Sequence, residues 1–354
     1  MKENGSVLKK MLPITNSNIA ELLAREAENA SGTLQRAFRR AARAAFLWPR
    51  EAAQVIAGGE SLTQFSGVGP SLEKRIRAWI DQPRVVRAPA IRRDFMSLAQ
   101  ARTLLAGAPE WSKRLRGDLQ MHTRWSDGSG AIAEMAEAGA ARGYEYIAIT
   151  DHSKGLKIAG GIDERALKKQ ATEVDEVNRA SPCRVLRSIE MNLNPRGEGD
   201  MDPAALEKLD IVLGSFHSAL RTKEDQTARY LAALRNPDIQ TLGHPRGRIY
   251  NFRLGLSADW PRVFAEAARW DKALEIDCYP DRQDLNVALL KLAKREGVRI
   301  SLGTDAHHPW QLEFIELGLA AALLARIPAD RVVNFMPLPQ LQGWVTAVRK
   351  RARR

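Results

Sequence analysis

Residues 144–155 read YEYIAITDHSKG. Within this stretch, YIAITDH (146–152) is a short β-rich run. It ends abruptly on Asp151 and His152, side chains that ligate metals or move protons. The same design recurs outward in both directions. DLQMH (118–122) precedes it; RVLRSIEM (184–191), IVLGSFH (211–217), TLGHP (241–245), LEIDCYP (274–280) and RISLGTDAH (299–307) follow, with helix-patterned stretches between. Seven alternating strand and helix units predict an α/β fold with a parallel sheet. Spread over about 230 residues, they suit a closed or nearly closed barrel. An open doubly wound sheet is the alternative, although no glycine-rich dinucleotide turn follows the first run.

What closes each run points to chemistry. Gln120, His122 and then Asp127 follow the first; Asp151 and His152 close the second; Glu190, His217 and His244 close the next three. Asp277 lies in the sixth, and Asp305 and His307 end the seventh. Strand C-termini of a parallel barrel converge on one face, so residues far apart in sequence should share one site. Of the six histidines in the chain, five stand at run ends and His308 adjoins one of them. A core histidine satisfied by hydrogen bonds does not predict that placement. Imidazoles with carboxylates, and no thiolates, form the ligand set for Zn, Mn or Fe. Ions so held turn water into hydroxide and clamp phosphoryl oxygens, which predicts a metal-dependent phosphoesterase. Arg246 and Arg248, in HPRGR beside His244, with Lys154 and Arg221 after other strand ends, suit phosphate oxygens. Tyr279 suits either stacking on a base or packing.

Charge is unevenly placed. The formal charge is +12; residues 1–110 carry +7, the last ten residues VTAVRKRARR carry +5, and the body between is neutral. Basic ends without an apolar anchor favour a nucleic acid partner over a membrane, the alternative for the tail being a solvated basic surface. The longest apolar run, Leu317–Ala325, is far short of the roughly 20 residues of a membrane span. The start, MKENGSVLKKMLPITNSN, lacks the apolar core of a secretory signal. Cys183 and Cys278 cannot make a disulfide framework. The cytoplasm is the expected compartment.

Residues 16–57 pattern as helices, with Asn16 or Ser17 suited to cap the first. Arg36, Arg39, Arg40 and Arg43 recur at helical spacing as a basic stripe. In SLTQFSGVGPSLEKRIRAWI (61–80), Gly67-Val68-Gly69 permits a tight turn and Pro70 suits the first position of a helix. The N–H groups there can bind a phosphate, with Lys74, Arg75 and Arg77 just beyond. Residues 83–114 read as a linker with one helix near Phe95–Leu105, and 341–354 as a basic tail.

GDLQMHTRWSDG, YEYIAITDHSKGLKIAGG, SIEMNL, GSFHSALR, LGHPRGR and GTDAHH resemble, in order, the motifs of the PHP (polymerase and histidinol phosphatase) domain. The likeness spans about residues 115–340 and is to the C-terminal PHP domain of bacterial family X DNA polymerases. Residues 16–82 resemble the N-terminal helix-hairpin-helix domain of the same polymerases. The resemblance implies a distorted seven-stranded (β/α)7 TIM-like barrel, an all-α helix-hairpin-helix domain within 1–82, and up to three divalent transition metals. By position it implies His122, Asp127, His152, Glu190, His217, His244, Asp305 and His307 as ligands. Glu190 would bridge two ions, one sharing His122 and Asp305, the other His217 and His244; Asp127, His152 and His307 would hold the third. Asp127 and His307 would assist proton transfer. Where the family has His-x-His, this chain has Gln120-Met121-His122, and an amide oxygen is a poorer ligand than imidazole.

Between Gln82 and Gly117 the only acids are Asp94 and Glu110, so no polymerase palm is expected and no nucleotide incorporation. The expected activity is hydrolysis at DNA ends, as a 3′–5′ exonuclease or 3′-end-processing nuclease. The alternatives are a small-molecule phosphomonoesterase of the histidinol-phosphatase kind and a non-catalytic DNA-binding scaffold.

Overall fold

A computed structural model describes residues 14–83 and 86–353. The first thirteen residues, which the sequence reading places in the DNA-binding domain, and Arg354 of the basic tail lie outside them. The chain divides into two compact units. The first holds the described residues up to Arg92 together with Met96–Gln100, and the second holds Arg93–Phe95 and everything from Ala101 onward.

The first unit is helical: α1 (Asn16–Glu28), α2 (Gly32–Ala44), α3 (Ala52–Ala57) and α4 (Pro70–Asp81). Thr15, rather than Asn16 or Ser17, caps α1. Its hydroxyl accepts from the Asn18 N–H while the Asn18 side chain reaches back to the Thr15 N–H, a reciprocal capping box. Asn16 has a different task, bonding Arg50 O and accepting from the Ala52 N–H. Ile19, Leu23, Phe38, Trp48, Val55 and Ile76 are buried in the core of this unit. Gly67 has φ +79°, a left-handed conformation that a side chain would strain, and Gly69 precedes Pro70 at the start of α4. Arg92 is buried and pairs with Glu21 at 2.8 Å, fastening the segment after α4 to α1.

The second unit contains α5 (Leu98–Ala106, whose first residues belong to unit one) and α6 (Pro109–Arg114), so residues 83–114 are not a bare linker. Then β1 (Gly117–Asp118), α7 (Ile132–Ala141), β2 (Tyr146–Ile149), α8 (Glu164–Ala180), β3 (Arg184–Arg187), β4 (Glu190–Asn192), α9 (Pro203–Leu206) and β5 (Leu213–Ser215) follow. The chain continues through α10 (Thr227–Arg235), β6 (Thr241–Leu242), α11 (Trp260–Trp270), β7 (Ala273–Asp277), α12 (Val287–Arg295), β8 (Arg299–Gly303), α13 (Ile315–Ala325) and α14 (Leu338–Ala352). All pairings between named strands are parallel, in sheets of order β1-β2-β3 and β4-β5-β6-β7-β8.

The third run is broken at Ser188 and Ile189 into β3 and β4, so the seven runs yield eight strands among the described residues. β2 reaches across the break through a parallel bridge between His152 and Glu190. At the other seam the first run passes β1 and meets the seventh. Leu119 N–H donates to Leu302 O, Asp305 N–H to Gln120 O, and Met121 bridges Ala306 in parallel. Each run therefore has a hydrogen-bonded neighbour on both sides. Buried Asp118 reinforces this seam, accepting from the Thr304 N–H and hydroxyl and from the Gln120 N–H. Burial outweighs those bonds and raises its pKa to about 6.

The expected basic tail is instead part of the core. Leu341, Trp344, Val345 and Val348 of α14 are buried in a cluster with Leu119, Tyr146, Leu186 and Ala273. Their spacing of three and four residues lays one apolar stripe on the strands. Trp344 Nε1–H donates to Asp271 O at 2.9 Å, and Arg349 donates to Leu209 O. Trp344→Ala should therefore cost about 3–5 kcal/mol, read as a lower urea midpoint; an unchanged midpoint would show that α14 is not docked.

Candidate metal centre

The site is built on Glu190, the first residue of β4 and without exposed surface. Its Oε1 lies 2.6 Å from His244 Nε2 and 3.2 Å from His217 Nε2; its Oε2 lies 3.0 Å from His152 Nδ1 and 3.5 Å from His122 Nε2. Those imidazoles come from the ends of four other runs, brought together by the ring of strands. Burial alone would raise the Glu190 pKa, but His152, His217 and His244 outweigh it and hold the group well below the carboxylate range.

Asp127, Asp305 and His307 complete the set. Asp127 Oδ1 stands 3.4 Å from His307 Nε2, 3.6 Å from His152 Nε2 and 3.9 Å from His122 Nδ1. Asp305 Oδ1 accepts from His122 Nε2 at 2.9 Å. The structure thus joins all eight expected ligand residues in one network. Among the described residues it contains three groups of ligand atoms able to surround an ion: His122 with Asp127, His152 and His307; His152 with Glu190 and His217; and His122 with Glu190 and Asp305. The grouping differs from the expected one at three points, the first being that His122 serves two groups. His152 also serves two groups, and His244 reaches Glu190 without entering any of the three.

Local structure holds these side chains in place. Asp151 accepts from the Thr123 N–H and hydroxyl, the Ser126 hydroxyl and the Gln170 amide, fixing the loop that carries Asp127. His307 Nδ1 faces its own loop at Asp305 O (2.7 Å), leaving Nε2 toward Asp127. Asn192 Oδ1 orients His217 through Nδ1 at 3.1 Å. His244 and Asp305 have positive φ, +23° and +52°, conformations that non-glycine residues adopt chiefly where structure over-determines them.

The donor set fits divalent cations. His122 Nδ1, His152 Nδ1, Glu190 Oε2 and His217 Nε2 are buried without hydrogen-bond partners. Each such orphan costs about 1–3 kcal/mol, and an ion accepting their lone pairs removes that cost. Zn, Mn and Fe suit this mixture of imidazole and carboxylate.

Other expected site residues have partners of their own. Arg248 is buried with its guanidinium 4.0 Å from the Phe95 ring, donating to Arg282 O and Asp94 O. Gly247, at φ +60°, turns the chain between Arg246 and Arg248. Arg246 is spent on Leu254 O and Leu256 O, Lys154 on Glu164 (2.6 Å), and Arg221 stacks on Phe252. In the first unit Arg75 pairs with Glu26 and Arg77 with Glu73, while Lys74 is exposed. Tyr279 packs edge-on against Phe314.

Three groups at the site have no counterpart among the expected residues. Arg282 lies 2.8 Å from Asp305 Oδ2 and 3.7 Å from Asp277 Oδ2. Glu275 is buried beside Gln120 and accepts the His244 N–H at 2.7 Å. Burial, with Asp277 next in weight, pushes the Glu275 pKa well up. Asp277, noted in the sixth run but given no role there, is itself buried and raised, by burial and then Asp305.

The chain belongs to the PHP-domain family. The PHP domain matches residues 118–279, and a probable phosphatase of Photobacterium profundum is 30% identical over 186 residues, 50% of this chain and 71% of that one. The chain is also similar to the DNA polymerase/3′-5′ exonuclease PolX of Bacillus subtilis, 36% identical over 234 residues. That match takes in 66% of this chain and 41% of the relative, so the chain spans about two-fifths of the relative's length. A solved histidinol phosphate phosphatase from Lactococcus lactis, complexed with zinc, L-histidinol and phosphate, aligns with a TM-score of 0.42 at 19% identity, over 60% of this chain and 92% of that one.

If His307 is a ligand, its titration would make ion uptake pH-dependent. Burial lowers its pKa, but the Asp127 hydrogen bond and the Asp305 charge outweigh burial and raise it to about 9. The metal-free protein therefore carries a proton on His307 at neutral pH, and an ion can use that imidazole only after the proton leaves. Apparent metal affinity should rise with pH up to about 9, by at most about tenfold per pH unit for the one proton. Calorimetric titration in buffers of different ionisation enthalpy measures the release. Affinity that is flat between about pH 7 and 9 would place His307 outside the ligand set.

Proposed function

We propose that this chain is a metal-dependent phosphoesterase acting on DNA ends, a 3′–5′ exonuclease or 3′-end-processing nuclease. The observation that carries the reading is the cluster of buried, unpartnered imidazole and carboxylate atoms around Glu190. Divalent ions bound there would supply hydroxide at neutral pH and stabilise charge on phosphoryl oxygens. We read the ring of seven runs as the distorted (β/α)7 barrel expected above, which puts every strand end on the catalytic face. Asp127 and His307 are the members with most solvent access, their side chains 35% and 29% exposed. Both can hold a proton near a leaving oxygen. Burial raises the Asp127 pKa, yet the His307 hydrogen bond and the neighbouring imidazoles prevail and hold it at about 2 in the metal-free protein.

The preference for DNA rests on the likeness to PolX and on the first unit. We read α3 to α4 as a helix-hairpin-helix, with Gly67, Gly69 and the N-terminus of α4 facing a phosphate. Arg75 and Arg77 brace the unit through their ion pairs, and Lys74 is the cation there for DNA. Arg36, Arg39, Arg40 and Arg43 on α2 are all exposed and extend the basic surface. The second reading, a small-molecule phosphomonoesterase, draws on relatives named as probable phosphatases, one from Caldicellulosiruptor bescii matching at 27% identity over 84% of its length.

End-labelled single- and double-stranded DNA incubated with Mn²⁺ should give a ladder of shortened products that EDTA abolishes. Glu190→Gln should remove this activity along with bound metal. Release of phosphate from histidinol phosphate, with DNA left intact, would favour the second reading. Changing the four α2 arginines to alanine should weaken DNA binding without altering hydrolysis of a small phosphodiester. The slope of log affinity against log salt should shrink by about 0.9 for each duplex phosphate that these side chains neutralise. An unchanged slope would remove α2 from the DNA surface.

A further inference from the structure

The three groups of ligand atoms around Glu190 are not equivalent. In the group of His122, Glu190 and Asp305, each Asp305 oxygen already faces a nitrogen, although Oδ2 makes no hydrogen bond. Oδ1 lies 2.9 Å from His122 Nε2, and Oδ2 lies 2.8 Å from Arg282 Nη1. The other ring nitrogen of His122, Nδ1, is buried without a hydrogen bond and faces Asp127 at 3.9 Å. A neutral imidazole that donates from Nε2 has its lone pair on Nδ1. His122 in that tautomer offers its ligand atom to the group of Asp127, His152 and His307, not to the group containing Asp305. Asp305 then acts as the carboxylate behind a ligating histidine, fixing the tautomer and orientation of the ring.

Gln120 does not repair this corner. In the orientation its partners require, the amide nitrogen donates to both Glu275 oxygens, at 2.6 and 2.9 Å. Gly303, where an added Cβ would meet Glu275 and Gln120, leaves the two packed together. An amide oxygen is in any case a weak ligand for a borderline ion. Arg282 meanwhile carries a permanent charge on a planar guanidinium, directed at Asp305 and Asp277. A dication at this corner would have to share Asp305 with that fixed positive charge.

We infer that the centre holds two ions, and that the Arg282–Asp305 pair occupies the role of a third, neutralising the corner and positioning His122. This rests on the metal-dependent reading given above. Gln120 is then the residue that makes an ion dispensable there, and Arg282 the one that supplies the charge.

Zinc stoichiometry tests it without reference to activity. Full-length protein saturated with Zn²⁺ and gel-filtered should hold two ions per chain by mass spectrometric metal analysis. Gln120→His combined with Arg282→Met, which adds an imidazole and removes the charge, should raise the count to three. Gln120→His combined with Arg282→Lys, which keeps the charge, should remain at two. Circular dichroism establishes that each variant is folded. Three ions in the unaltered protein overturn the inference and leave the phosphoesterase reading standing, as does a folded Gln120→His/Arg282→Met protein that stays at two. A third ion in the lysine variant also overturns it, since charge would then not be what excludes the ion. No bound zinc in any form overturns the metal-centre reading itself.

Discussion

A carboxylate with no exposed surface governs this structure. Glu190 sits among four imidazoles, two of them within 3.0 Å, and an unpaired ion at that depth would cost several kcal/mol. The fold is arranged to surround it with imidazoles. Its imidazole neighbours arrive on separate strands, so no single segment can supply the pairing, and only the assembled ring of strands does. The interruption at Ser188 and Ile189 belongs to the same arrangement. It ends β3 against β2 and starts β4 against β5, which places Glu190 where the two sheets meet.

Behind the ligands lies a second layer of buried carboxyls with unlike tasks. Asp118 and Asp151 are saturated by hydroxyl, amide and backbone donors and serve as rivets between strand ends. Glu275 and Asp277 are less well supplied, and burial shifts both toward the neutral form. Asp305 goes the other way. Burial raises it, but Arg282 and His122 prevail and keep it ionised. Acids close together in space are thus sorted into charged and neutral members by the donors each one meets.

The candidate ligand residues are legible in the sequence because they stand at or just after the ends of apolar runs, and strand ends of a parallel fold converge. No such signal marks Arg282 or Glu275. One lies in the loop after β7 and the other within β7, and only the ring closure brings them to Asp305 and Gln120. The sequence marks Arg248 as a cation beside His244 but not its partners: its guanidinium lies over Phe95 and donates to Arg282 O and Asp94 O. The basic tail misleads. Its charges draw attention from Leu341, Trp344, Val345 and Val348, whose spacing already describes a buried helical face. The third run reads as one strand because the break at Ser188 leaves the apolar pattern intact.

The seam between Met121 and Ala306 has a consequence for biogenesis. The first and last strands of the ring are neighbours in space but lie at opposite ends of the segment that forms it. A ribosome adding about 5–20 residues per second leaves the first strand without that neighbour for many seconds. During that interval Asp127 and His122 exist without Asp305 or His307, as a half-built chelator. An ion captured then would hold the nascent chain in an incomplete coordination shell. The order of events that avoids this is ring closure first and metal loading second, with the docking of α14 later still because it follows every strand of the ring in the chain.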